Sequence, residues 1–429
     1  MNSVEVQPLT QPFEVEFRPP GSKSITNRAL ICAALARGTS TLTGALFAED
    51  TEAMVRCLTA LGVGIHTEPS AQRITVEGVR GAPVVQGAVL DAGLSGTTSR
   101  FVAPVAALGQ STVVLDGAAP LRLRPMGEMF DALSALGCVL LPLGEPGHLP
   151  VQIEAQGLAG GSIQLRGDVS SQFLSGLLLA APEMDEGLRV EMVGDLVSQP
   201  YVEMTLKVME AFGAQTAHDQ YQSLSVQPTS YRAVSEFSVE PDASAASYFF
   251  AAAALLGGSV QIEGLGTQSL QGDLGFVEVL ERMGAQVTRT ATSTRVVGTG
   301  VLRGIDVNMA EMSDTAQTLA AIAPFADSPT RVTGIGFIRA KETDRIAAVV
   351  TELQRLGVDA VQEPDGFLIH PGLPQPGVVQ TYQDHRMAMS FALIGLRIPG
   401  IHIADPDCVA KTYPTFWNEL ERLRGSGGE

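Results

Sequence analysis

Val349-Val350-Thr351-Glu352-Leu353-Gln354-Arg355-Leu356-Gly357 is an amphipathic helix written into nine residues. Val349, Leu353 and Leu356 recur at spacings of four and three, which puts them on one face. Gly357 stands where a helix C-cap needs a positive φ. A strand-like run, Phe367-Leu368-Ile369, follows. The same phrase returns at Leu61-Gly62, Leu136-Gly137, Phe212-Gly213 and Met283-Gly284, so that the five glycines are 75, 76, 71 and 73 residues apart. A weaker sixth helix end, Leu423-Arg424-Gly425, comes 68 residues after Gly357. This period is longer than the usual solenoid units. It predicts a compact αβ unit used six times, and hence an α/β protein.

Two breaks interrupt the series. Pro19-Pro20-Gly21 continues neither a strand nor a helix easily, and Glu240-Pro241-Asp242 falls after the third repeat. Three repeats lie between them. The other three lie beyond, joined by a strand at Glu14–Phe17. The expected division is a first lobe of 21–240 and a second of 1–20 plus 241–429, with ligands held in the cleft between two similar lobes.

Composition narrows the classes of function. Of 429 residues, 45% are hydrophobic and 17% charged, which makes the chain globular. The net charge of −18, from 46 acidic and 28 basic residues, argues against a nucleic-acid or anionic-membrane surface. Met1–Phe17 has no apolar core of a signal peptide, and the apolar run near Tyr248–Leu256 is too short to span a bilayer. Cys32, Cys57, Cys138 and Cys408 show no paired spacing, so a reducing cytoplasm is expected. Neither a G-x-x-x-x-G-K-[ST] loop nor a G-x-S-x-G elbow is present, and the six histidines show no metal-ligand clustering. Gly264-Leu265-Gly266-Thr267-Gln268-Ser269 lacks the third glycine of a dinucleotide fingerprint.

Against this acidic background, Gly21-Ser22-Lys23-Ser24-Ile25-Thr26-Asn27-Arg28 gathers two cations and three hydroxyls at a glycine turn before an apolar helix. A helix N-terminus with Lys and Arg beside it suits a phosphate or carboxylate. A capped helix with solvated cations is the other reading. Further polar stretches open apolar helices in the same way. Asp91–Arg100 is either an anion-binding glycine loop or an ordinary helix start. Arg122-Leu123-Arg124-Pro125 is a carboxylate fork or a surface pair, with Pro125 near the first helical position. Asp168-Val169-Ser170-Ser171-Gln172 offers more donors than a cap requires, whereas Ser198 before Gln199-Pro200-Tyr201 reads as a plain cap. Asp314 is a helix cap or a general base. Arg339–Arg345 and Asp384-His385-Arg386 are salt-bridged faces or charged helix starts, and Lys411 is a loop lysine.

Taken together and in this order, these segments resemble EPSP synthase, the enolpyruvyl-transferring family of the shikimate pathway. The resemblance runs from about residue 14 to about 420. It rests on Gly21–Arg28, Ser95-Gly96-Thr97, Arg124-Pro125-Met126, Val169–Leu174, Lys341–Arg345, Asp384–Met389 and Lys411-Thr412. It implies the enolpyruvate transferase fold, a two-lobed inverse α/β barrel of six βαβαββ repeats, three per lobe. It also implies transfer of the enolpyruvyl group of phosphoenolpyruvate to shikimate 3-phosphate with release of phosphate, by a cytoplasmic monomer with no metal or organic cofactor.

Following the family, Lys23, Gly96, Arg124, Gln172, Arg345, Arg386 and Lys411 would hold phosphoenolpyruvate. Lys23, Ser24, Arg28, Ser170, Ser171, Gln172, Ser198, Tyr201, Asp314 and Lys341 would hold shikimate 3-phosphate, with Thr97 and His385 in support. Asp314 would be the base for the attacking hydroxyl and Glu342 the acid for the methylene, with Lys23 assisting proton transfer. Three positions depart from the family pattern: Leu94 for Asn, Phe101 for Pro, and Phe337 for an Asn near the shikimate ring. Gly96 leaves room for a bulky anion, so sensitivity to glyphosate is expected. The rival within the fold acts on UDP-N-acetylglucosamine and carries a cysteine before its Arg-Pro, where Asp116–Arg124 has none. A non-catalytic anion binder would lack the acid or the base, and both are present.

Overall fold

The five recurring glycines each follow a helix in left-handed backbone, with φ between +80° and +111°. Such a φ costs an L-residue with a Cβ about 1–2 kcal/mol, which explains why glycine marks every boundary. The computed structural model describes residues 2–425 apart from Gln86 and Val169, so the first residue of the Val169-Ser170-Ser171-Gln172 stretch lies outside the described residues.

The chain begins with β1 (Ser3–Val6) and β2 (Glu14–Phe17). The first repeat is α1 (Lys23–Leu35), β3 (Thr39–Thr43), α2 (Glu49–Ala60), β4 (Gly64–Glu68) and β5 (Arg73–Glu77). The second is β6 (Val89–Asp91), α3 (Gly96–Ala107), β7 (Thr112–Asp116), the single turn α4 (Ala119–Arg122), α5 (Gly127–Ala135), β8 (Val139–Pro142) and β9 (Val151–Glu154). The third is β10 (Gly161–Arg166), α6 (Ser171–Ala180), β11 (Leu188–Val193), α7 (Gln199–Ala211), β12 (Thr216–Asp219) and β13 (Ser223–Val226), followed by the short β14 (Phe237–Ser238).

The fourth repeat is α8 (Ala243–Leu256), β15 (Ser259–Glu263), α9 (Phe276–Arg282), β16 (Gln286–Arg289) and β17 (Ser293–Val297). The fifth is β18 (Asp306–Asn308), α10 (Ala316–Ile322), β19 (Thr330–Thr333), α11 (Arg345–Arg355), β20 (Ala360–Glu363) and β21 (Gly366–Ile369). The sixth is β22 (Gly377–Val379), α12 (His385–Gly395), β23 (Ile401–Ala404) and α13 (Phe416–Gly425).

Each complete repeat folds as βαβαββ around a four-stranded sheet with one parallel pair and an antiparallel hairpin, as in the order β6-β7-β9-β8. Two repeats take their first strand from elsewhere. β14 pairs parallel with β3 in the first sheet, and β2 pairs parallel with β15 in the fourth. The sixth sheet departs from the expected pattern: among the described residues it has three strands, and β1 closes it antiparallel to β23. Ser3-Val4-Glu5-Val6 is too short and acidic for its period to be read. The chain divides into two compact units, Gly21–Val239 and the segments on either side of it.

Helices alternate in kind. α1, α3, α6, α8, α10 and α12 are buried along almost all of their length, whereas α2, α5, α7, α9, α11 and α13 expose a polar face. The buried helices pack closely because they carry small residues. A Cβ on Gly176 of α6 would meet the Arg100 carbonyl of α3 at 2.4 Å. Ser247 of α8 lies 3.0 Å from Thr318 of α10. Five of the polar stretches singled out in the sequence lead into buried helices, α1, α3, α6, α10 and α12, where unpaired N–H groups and the positive dipole end gather; Arg339–Arg345 and Ser198 lead instead into the amphipathic α11 and α7.

Candidate active site

In the unit Gly21–Val239, Ser22 caps α1 by accepting from the Ile25 N–H at 3.4 Å. Gly21 serves close approach rather than a left-handed turn, since a Cβ there would lie 1.9 Å from the Gly44 carbonyl oxygen. Lys23, at the first turn, sits 3.2 Å from the buried Asp50 carboxylate of α2. Ser95 caps α3 through Thr98 N–H, and Gly96 follows. A Cβ on Gly96 would meet the Arg124 guanidinium at 2.7 Å, so this glycine lets the cation lie over the helix start.

Ser170 caps α6 through the Gln172 N–H at 3.3 Å, with Ser171 buried beside it. The Gln172 amide donates to Thr97 at 3.2 Å and accepts from Arg100 at 2.6 Å. Arg100 also lies over the Phe173 ring, 4.7 Å from its centroid. These bonds bring the N-termini of α3 and α6 side by side.

Arg28 is buried one turn along α1. It donates to Thr205 at 2.7 Å and to the carbonyls of Ser24 and Tyr201 at 2.9 and 3.1 Å, and it lies 5.2 Å from the Phe101 ring centroid. Burial pulls its pKa down to about 10, which leaves it charged at neutral pH. Ser198 precedes α7 with φ +57° and makes no side-chain cap, so the plain-cap reading does not hold there. Pro125 also falls outside the helix, one residue before the Met126 cap of α5. Arg122 forks onto Asp116 at 2.9 and 2.7 Å, away from Arg124.

In the other unit, the charged segments before α10, α11 and α12 converge on one buried guanidinium. Arg345, at the first turn of α11, donates to Asp384 at 2.8 Å, Glu342 at 2.8 Å and Asp314 at 3.1 Å. Burial alone would lower its pKa. The carboxylates of Asp384, then Glu342 and Asp314, reverse this and hold it above the usual arginine value. Arg386 donates to Asp314 at 2.7 Å and to the Ser244 hydroxyl of α8 at 3.5 Å; Ser244 donates to the buried Asp273 at 2.5 Å.

Asp384 caps α12 by accepting from the Arg386 N–H at 2.9 Å, and Asp344 caps α11 through Ala347. Asp314 is therefore not a helix cap but a carboxylate shared by two arginines. Lys341 and Glu342 lie before α11 rather than in it. The solvated-face reading fits only Arg339, which pairs with Asp344 at 2.8 Å in a more open setting. His385 is buried, 3.7 Å from Asp384, and Lys411, at the end of the 3-10 turn Pro406–Lys411, is buried rather than a surface residue.

Several groups escaped the sequence reading. Asp50 reads as one of three acids in the first turn of α2, where the helix dipole already explains them. Asp273 gave no signal beyond its charge, and Arg100 was visible only as the last residue of the Asp91–Arg100 stretch. Asp384 was visible in its charged triplet, but its hold on Arg345 spans 39 residues of sequence.

An enolpyruvyl transferase of Streptomyces tendae superposes with a TM-score of 0.77 over 98% of this chain and 97% of its own at 18% identity, which establishes the fold class. The EPSP synthase of Acinetobacter baumannii gives 0.82 at 29% identity over 99% of this chain and 98% of that one. The family model described as EPSP synthase (3-phosphoshikimate 1-carboxyvinyltransferase) matches residues 9–420. A 3-phosphoshikimate 1-carboxyvinyltransferase of Nostoc punctiforme is 45% identical over 99% of both chains, and one of Methanosphaerula palustris is 44% identical over 95% of this chain and 96% of its own. The chain belongs to the EPSP synthase family, whose members are transferases.

Proposed function

We propose that the protein transfers the enolpyruvyl group of phosphoenolpyruvate to the 5-hydroxyl of shikimate 3-phosphate. The observation that carries the reading is the pair of carboxylates, Asp314 and Glu342, held 3.1 and 2.8 Å from two nitrogens of one buried guanidinium. Addition needs a base for the attacking hydroxyl and an acid for the methylene carbon. Asp314 takes the first role and Glu342 the second, with Lys23 assisting.

The hydroxyl oxygen bonds to C2 of phosphoenolpyruvate while C3 gains a proton, giving a tetrahedral intermediate. The C2–O bond to phosphate then breaks and C3 returns the proton. Negative charge develops on the departing phosphate as the C2–O bond breaks, and fixed cations stabilise it without reorganising. Arg345, Arg386, Lys411, Arg124 and Lys23 are the phosphoenolpyruvate ligands in this reading, with Gly96 and Gln172. Arg28, Ser24, Ser170, Ser171, Gln172, Ser198, Tyr201 and Lys341 serve the phosphoshikimate. Arg28 acts there by fixing Ser24 and Tyr201 as much as by its own charge, because its donors already bind protein carbonyls and Thr205.

The four cysteines are free, which fits the expected reducing cytoplasm, and from the family resemblance we infer a monomer. Among the described residues no helix is long and apolar enough to cross a membrane. The test is phosphate release from phosphoenolpyruvate with shikimate 3-phosphate or UDP-N-acetylglucosamine as acceptor. Release with the first alone is expected; release only with the second, or with neither, overturns the reading.

A further inference from the structure

Between β22 and α12 the backbone does something unusual. Tyr382 and Gln383 are consecutive and both left-handed, with φ +56° and +59°, and neither is glycine. That conformation is unfavourable for an L side chain, and two in a row need external support. The turn ends on Asp384, which caps α12 and holds Arg345.

The support comes from α11. Glu352 is fully buried, and one carboxylate oxygen accepts the Gln380 N–H at 2.8 Å. The other accepts the Tyr382 hydroxyl at 2.5 Å and lies 2.8 Å from Arg355. Burial, with the facing Glu352 carboxylate, pushes the Tyr382 hydroxyl up to about 12, so it remains a donor throughout the neutral range. Arg345 and Glu352 are seven residues apart, two turns along the same side of α11. The helix and the turn are thus joined at two points: the helix arginine on the turn's Asp384, and the helix glutamate on the turn's Tyr382.

We propose that Tyr382 and Glu352 are positioning residues: their bond locks the left-handed turn that sets Asp384 in register and, through Asp384, aims Arg345 and Arg386 at phosphoenolpyruvate. Neither residue touches substrate. The inference rests on reading Arg345 and Arg386 as phosphoenolpyruvate ligands. A hydrogen bond to a carboxylate, once lost, leaves the turn free to relax, and the two cations lose their common reference.

The test is steady-state kinetics on Tyr382→Phe, a half-exposed site where the ring can stay in place. The expected result is a KM for phosphoenolpyruvate raised about tenfold, with KM for shikimate 3-phosphate changed by less than about twofold and kcat by less than KM. Adding Gln383→Gly, which removes the conformational cost at one of the two positions, should recover part of the lost affinity. A lowered Tm with both KM values unchanged would assign the bond to stability alone and overturn the proposal. So would a double variant that recovers nothing. Arg386→Ala separates the two levels: if it raises KM for phosphoenolpyruvate while Tyr382→Phe does not, the latch is wrong and the site stands. If Arg386→Ala leaves that KM unchanged, the ligand reading falls and the latch with it.

Discussion

Arg345 shows how burial sets the chemistry at the scale of single residues. It is 2% exposed and touches three carboxylates, so removing any one leaves charge poorly compensated in a low-dielectric setting. Asp384→Ala removes both a partner and the α12 cap, and a loss of about 3–5 kcal/mol is expected in urea unfolding. Asp314, with 18% of its side chain exposed, retains solvent access suited to a base. Asp314→Ala should cut kcat for phosphate release by about 10²–10⁴-fold, the usual contribution of a general base. Gly96→Ala acts differently. The atoms nearest its new Cβ are the far end of the Arg124 side chain, at 2.7–2.9 Å, so a shift of the guanidinium can make room and the fold is expected to hold. Its expected signature is a KM for phosphoenolpyruvate raised about tenfold, the equivalent of about 1.4 kcal/mol, with Tm nearly unchanged.

Among the elements, one repeat carries two helices with different tasks. The buried helix ends in a polar N-terminus, and the amphipathic helix stops at a glycine; α11 does both, with Arg345 at its first turn and Gly357 after its last. Gly357 follows α11 with φ +80°, and a Cβ there would also press on Gln375 at 3.2 Å. Gly357→Ala should therefore lower stability by about 1–2 kcal/mol, seen as a lower urea midpoint at constant m. Activity per folded molecule should persist, because the cap lies three turns from Arg345.

Titration reaches the whole molecule through the buried thiols and phenols. Burial pushes Cys32, Cys57 and Cys408 from 9.0 up to about 12, and Tyr248 from 10.0 to about 12. Below pH 9 folded and unfolded chains hold these protons alike. Between 9 and 12 the unfolded chain releases them while the fold keeps them, so the unfolded state binds fewer protons and stability falls as pH rises. Urea midpoints should be flat near neutrality and decline steeply above about pH 9. A flat profile to about pH 11 would show that these groups are not buried in solution.

The six-fold repeat, its glycine punctuation and the cation-rich helix starts were legible in the sequence, because each is set by local physics: apolar period, positive φ and helix-end charge. Glu14–Phe17 was legible as a strand for the same reason. What tertiary structure alone decided is non-local. β1 closes the sixth sheet from the opposite end of the chain, and β14 completes the first, because an unpaired sheet edge is satisfied by whichever strand the fold brings to it. Asp314, Glu342 and Asp384 meet on Arg345 only once three helix starts are packed together. No periodicity reports such a meeting, and the cost of burying an unpaired charge is what enforces it.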